Sequence, residues 1–134
     1  MEPVVQTIAA DVGDCWRAFV DPKQMTRWVS GLVAARTLVT NEHGLPTEIE
    51  FEFGKGLRYS LKYKYEMGDP IAVRWEPREA AKGGVRGWAT FEELDAGTKL
   101  TYALEHDVGR KAAERMMDAP KINVAAFARY MEET

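Results

Sequence analysis

With one cysteine and two histidines in 134 residues, the chain has little from which to build a metal centre or a thiol site. Cys15 has no partner for an internal disulfide, and His43 and His106 lie too far apart to supply ligand spacing, so no metal is expected. No apolar run approaches the roughly 18 residues of a membrane span. The opening Met1-Glu2-Pro3-Val4 lacks the basic and apolar regions of a signal peptide, and a cytoplasmic location is the resulting expectation. The net charge is only -3 and basic residues do not cluster, which argues against a nucleic-acid partner. Gly54-Lys55-Gly56 and Gly83-Gly84 are too short to cradle a phosphate and open no helix. No Gly-x-Ser-x-Gly or Ser/His/Asp pattern occurs, so neither a nucleophilic triad nor a cofactor is expected.

What the chain does have is a soluble globular composition, 46% hydrophobic and 29% charged. Its length suits one domain with one core, residues 1–134. The stretch from Arg110 to Glu133 organises the rest. Ala113, Met117, Pro120, Val124, Phe127 and Met131 recur in steps of four and three, the apolar face of a long C-terminal helix. Pro120 lies within that stripe and predicts a kink, with a second helical piece capped by Asp118 as the other possibility.

Upstream, Val4 to Ala9 reads as a strand. Asp11 offers a helix cap, with Val12, Cys15, Trp16 and Phe19 following at helical spacing. Asp21-Pro22 starts a second short helix carrying Met25, Trp28 and Val29 towards Gly31. Strands then alternate with turns from Leu32 to Val108. Ile49, Phe51 and Phe53 face one way and Glu48, Glu50 and Glu52 the other. Leu57, Tyr59, Leu61, Tyr63, Tyr65 and Met67 share one face of the next strand. Pairing Phe53 with Leu57 sets Glu52 opposite Arg58 and Glu48 opposite Lys62, charge against charge on the outer side. Trp75 falls opposite Tyr63. A two-residue Ala96-Gly97 turn pairs Phe91 with Tyr102, Ala89 with Leu104 and Gly87 with His106, and leaves Trp88 pointing outward. The regular turn spacing predicts one antiparallel meander.

The run Ile8-Ala9-Ala10-Asp11-Val12-Gly13-Asp14-Cys15-Trp16-Arg17-Ala18-Phe19-Val20-Asp21-Pro22, followed by Trp28, resembles the START-like, or SRPBCC, superfamily. Gly97-Thr98 is similar to a Gly-Thr turn before the last strand in many members. Val12 stands apart from Trp16, so Cys15-Trp16 occupies the place of the family's Val-Trp pair. The likeness is greatest to the polyketide cyclase/dehydrase and lipid-transport branch. It covers nearly the whole chain but consists of structural residues. It implies an α+β helix-grip fold: a curved antiparallel seven-stranded sheet around a long C-terminal helix, with two short helices after the first strand. It also implies a cavity between sheet and helix.

The inward strand positions place Tyr59, Leu61, Tyr63, Trp75, Phe91, Tyr102 and His106 at that cavity. The helix stripe adds Met117, Val124 and Phe127, and Trp28 is expected near the mouth. Tyrosines there give apolar surface with a polar handle. The first functional expectation is binding or carriage of a small apolar molecule, acyl or ring-containing. The second is a cyclase- or dehydratase-like enzyme in which His106 and a tyrosine perform acid/base chemistry. Against it stands the plainer reading of His106 as a strand-end histidine hydrogen-bonded to backbone. A third is a protein-interaction module like the superfamily's chaperone cofactors, using the sheet exterior and Trp88.

Overall fold

The computed structural model describes residues 3–78, 85–106 and 120–133, with the side chains of Lys55, Val85, Glu105 and His106 outside that description. The chain runs β1 (Val4–Ile8), α1 (Val12–Phe19), α2 (Pro22–Met25), β2 (Leu32–Thr40) and β3 (Pro46–Phe53). A 3-10 turn (Gly54–Gly56) leads to β4 (Arg58–Glu66), β5 (Ile71–Pro77), β6 (Val85–Leu94) and β7 (Gly97–His106). The described part of the C-terminal helix is α3 (Pro120–Glu132).

Both short helices begin as their caps dictate. The Asp11 carboxylate accepts from the Gly13 N–H at 2.9 Å, and Asp21 accepts from the Lys23 N–H at 3.0 Å with Pro22 just inside the helix. The second helix is shorter than its apolar spacing suggests. After Met25 the chain continues in tighter turns, with the Trp28 N–H bonded to the Met25 carbonyl at 3.2 Å. Gly31, at φ 79°, then turns the backbone into β2.

The seven strands form one sheet in the order β1-β7-β6-β5-β4-β3-β2, every neighbouring pair antiparallel. The β3–β4 register matches the charge pattern, Glu52 opposite Arg58 and Glu48 opposite Lys62. Glu48 makes its ion pair with Arg78, at 3.6 Å. Tyr63 pairs with Trp75. Arg36 of β2 bridges Glu50 and Glu52 on the same outer face, at 3.1 and 3.0 Å.

The last hairpin differs from the expected register by two residues. Asp95-Ala96 is the turn, Leu94 pairs with Gly97, and Phe91, Ala89 and Gly87 face Leu100, Tyr102 and Leu104. His106 pairs with Val85. The cause is a close approach by β1. A Cβ on Gly97 would lie 2.2 Å from the Ile8 carbonyl oxygen, and Gly97 has φ 149°. Gly97 is therefore used to seat β7 against the end of β1, and the turn moves one residue back. A shift of two keeps every side chain on its face. Ala89 and Phe91 remain inward, and Trp88, the residue before Ala89, is half-buried.

On α3, Asn123, Val124, Phe127, Ala128 and Met131 are buried, so the expected stripe holds from Val124 onward. Ala113, Met117 and the backbone step into Pro120 lie outside the described residues. The core is the space enclosed by the inward sheet face, α1, the segment after α2, and α3.

Candidate functional site

Phe19, at the end of α1, is the hub of the interior. Its ring stacks on Trp28 at 5.1 Å and meets Phe91, Phe127, Trp75 and Tyr102 between 5.2 and 6.0 Å. Trp28 presents its face to the edge of Phe127 at 5.0 Å, and Trp75 lies 5.5 Å from Tyr102. Offset and edge-on geometries of this kind add attraction beyond area burial. Six aromatic rings thus come from α1, the α2–β2 connection, β5, β6, β7 and α3.

Beside this nest, between the sheet and the start of α3, lies a cavity of about 50 Å³. Trp28, Tyr59, Leu61, Tyr63, Trp75 and Tyr102 all line it, the last five from the inward face of β4, β5 and β7. Trp28 is a wall residue, 6% exposed, where the sequence suggested a position at the rim. Phe91, Val124 and Phe127 are buried in the core behind the lining. Met117 and the His106 side chain lie outside the described residues.

The lining also includes Phe19, Met25, Val29, Phe51, Phe53, Leu104 and Asn123, beyond the residues the sequence assigns to the site. Phe51 and Phe53 were already legible as inward residues, and Phe19, Met25 and Val29 as helix-face residues. Asn123 had no such signal, being a polar residue on a helix. It is 3% exposed, and its Oδ1 accepts the Ser30 backbone N–H at 2.9 Å. A backbone N–H only donates, so this contact fixes the amide orientation and leaves Nδ2 as the free end. Among the described residues that Nδ2 and the Tyr63 hydroxyl form no hydrogen bond. Trp28 Nε1 is buried with no hydrogen-bond partner among the described residues.

Burial raises the Tyr63 hydroxyl well above its ordinary pKa, with smaller contributions from Tyr102 and Tyr65. Burial does the same to Tyr65, whose hydroxyl donates to the Pro46 carbonyl. Both are therefore neutral phenols at physiological pH. Among the described lining residues there is no carboxylate, imidazole, amine or thiol. Cys15 lies elsewhere, fully buried, with its thiol pushed up by burial. A wider groove of about 470 Å³ opens beside α1 and the end of α3, where Glu132 accepts the Ala9 N–H at 2.9 Å; it is an open surface feature. Among the described residues no helix is long and apolar enough to cross a membrane, and no group of three metal-ligating side chains gathers.

No family model matches the chain, and no curated protein matches it. Solved structures do. A STAR-related lipid transfer protein from Xanthomonas axonopodis superposes with a TM-score of 0.74 at 17% identity, covering 96% of this chain and 84% of that one. A START superfamily protein from Mycobacterium smegmatis gives 0.65 at 12% identity, over 99% and 96% of the two chains. An AHSA1-like protein from Aeromonas hydrophila gives 0.64 at 15% identity, over 98% and 91%. With the strand order, the two short helices after β1 and the C-terminal helix on the sheet, these matches show that the chain has the START-like helix-grip fold.

Proposed function

We propose that this chain, a single cytoplasmic domain, binds a small apolar molecule, acyl or ring-containing, in the cavity between the sheet and the C-terminal helix. The observation that carries the reading is an aromatic lining, uncharged among the described residues, with one buried polar atom, Trp28 Nε1, that has no partner among them, inside an otherwise close-packed core. Cores ordinarily satisfy such groups or exclude them. Ligand pockets combine apolar walls with a few convergent polar atoms. Trp28, Tyr59, Leu61, Tyr63, Trp75 and Tyr102 would touch the ligand, with Phe91, Val124 and Phe127 supporting them. The lipid-transfer protein among the structural neighbours is in keeping with this reading.

Size sets a condition. The cavity of about 50 Å³ is well below the roughly 150 Å³ that admits benzene in an apolar protein core. A ring or acyl chain must therefore push the wall outward. Met25, an unbranched thioether in that wall, is suited to repacking.

The test is a thermal-shift and titration series with fatty acids, flavonoid-like rings and polyketide mimics. A binder raises the melting temperature, because a ligand that engages only the folded state stabilises it by mass action. Trp75 should report ring binding through its emission, checked with Trp75→Phe. His106→Gln separates carriage from catalysis: a carrier keeps its affinity within a few fold, whereas an acid/base enzyme loses about a hundredfold or more in turnover. A panel without any thermal shift or Trp75-dependent signal would overturn the proposal.

A further inference from the structure

We infer that the cavity selects a neutral ligand carrying a hydrogen-bond acceptor, such as a ketone or ester oxygen, and that Trp28 Nε1–H is the donor that reads it. The inference rests on the binding reading above and sharpens it to a chemical class.

The argument begins with an orphan. An indole N–H is a donor only, and a buried one ordinarily finds a partner. Trp28 is 6% exposed, lines the cavity, and its Nε1 has no hydrogen-bond partner among the described residues. Its ring is held by Phe19 on one contact at 5.1 Å and by Phe127 at 5.0 Å, so turning the indole to find a partner would break the aromatic nest. Asn123 reaches the same cavity with the same polarity. Its oxygen already accepts the Ser30 N–H, so the group it offers a ligand most freely is its amide N–H. Tyr63, held neutral, has a hydroxyl that can donate as well. The free polarity of the described lining is therefore weighted towards donors, and a complementary ligand brings an acceptor.

Charge sets the second half of the specificity. Among the described lining residues there is no arginine, lysine or histidine. A carboxylate placed there would lose its hydration and meet, among the described lining residues, only neutral donors, an expensive exchange. A carbonyl loses much less water and gains the same hydrogen bond. A hydrocarbon of the same shape fits but leaves the indole N–H unsatisfied.

The experiment uses three probes with one bicyclic skeleton: indane, 1-indanone and indane-1-carboxylate. Each is titrated calorimetrically into the full chain near neutral pH. Indanone should bind about fivefold to tenfold more tightly than indane, the usual yield of one neutral hydrogen bond, and at least as far ahead of the carboxylate. In Trp28→Phe the indanone-to-indane ratio should fall towards one, whatever the change in indane affinity itself. The chain has four tryptophans, so the wild type should show one of four indole N–H resonances moving with indanone and staying in place with indane. That readout decides the matter if Trp28→Phe does not fold. Indane and indanone binding equally, with no indole resonance distinguishing them, would overturn the inference and leave the binding reading intact. Tighter binding of the carboxylate, or a ratio that survives in a folded Trp28→Phe, would overturn it too. If none of the three binds, the inference falls together with the proposed function.

Discussion

The Asn123 side-chain oxygen accepts the Ser30 backbone N–H at 2.9 Å, joining residues 93 positions apart. The contact ties α3 to the segment that carries Trp28, at the edge of the cavity. Asn123 is buried and Ser30 is exposed, so the bond is shielded from water on one side only. Asn123→Ala should lower unfolding free energy by about 0.5–1.5 kcal/mol, the net worth of one such hydrogen bond. Urea denaturation measures it. A loss indistinguishable from zero would mean that the Ser30 N–H finds another acceptor and that the tie is dispensable.

Phe127 is fully buried and meets Phe19 at 5.5 Å and Trp28 at 5.0 Å. Phe127→Ala should therefore cost about 3 kcal/mol or more, as for a packed core phenylalanine. Because Phe127 is behind the lining, the change should also loosen the Trp28 wall and alter ring-probe affinity. A cost near 1 kcal/mol would contradict the packed position and point to collapse of the surroundings into the gap.

Most of the fold could be read from periodicity. Glu48, Glu50 and Glu52 against Ile49, Phe51 and Phe53 set the face of β3, and opposite charges on β4 set its register. The β6–β7 register could not be read in this way. It depends on the Ile8 carbonyl pressing on Gly97, a contact between segments nearly ninety residues apart. Thr98 shows the same limit: it is fully buried, and its hydroxyl donates to the Ala10 carbonyl at 2.8 Å. The sequence shows a Gly-Thr pair; only the fold shows that the first residue makes room for β1 and the second caps its end. The site divides along the same line. Its strand residues follow from alternation, whereas Asn123 owes its place to a hydrogen bond with no local signature.

Tyr63 and Tyr65 make stability fall at high pH. Burial raises both hydroxyls above the ordinary tyrosine value of about 10. In the folded protein they keep their protons at a pH where the unfolded chain loses them. The unfolded state then binds fewer protons, and stability decreases as pH rises. Their contribution is complete below about pH 10 and is lost as the pH climbs through the raised folded values. Tyr63→Phe should flatten the alkaline limb of a stability–pH curve while changing little at pH 7, since the hydroxyl has no hydrogen bond among the described residues. An unaltered alkaline limb in Tyr63→Phe would show that the hydroxyl titrates freely and reaches solvent.

Met25 tests whether size limits the cavity. It is 2% exposed and forms part of the wall of a space of about 50 Å³. Met25→Ala removes the thioether and should cost about 2–5 kcal/mol through lost burial and the void left behind. The void adjoins the cavity, so the space should grow towards the roughly 150 Å³ that accepts a benzene ring. If the wild type must spend free energy moving this wall, the variant has already opened it. Indane should then bind Met25→Ala more tightly than wild type, and added indane should recover part of the lost stability. The two measurements check each other. A stability loss with unchanged affinity would mean that the wall relaxes into the gap, or that the ligand enters elsewhere. Tighter binding in the less stable protein is the outcome that identifies Met25 as the movable wall.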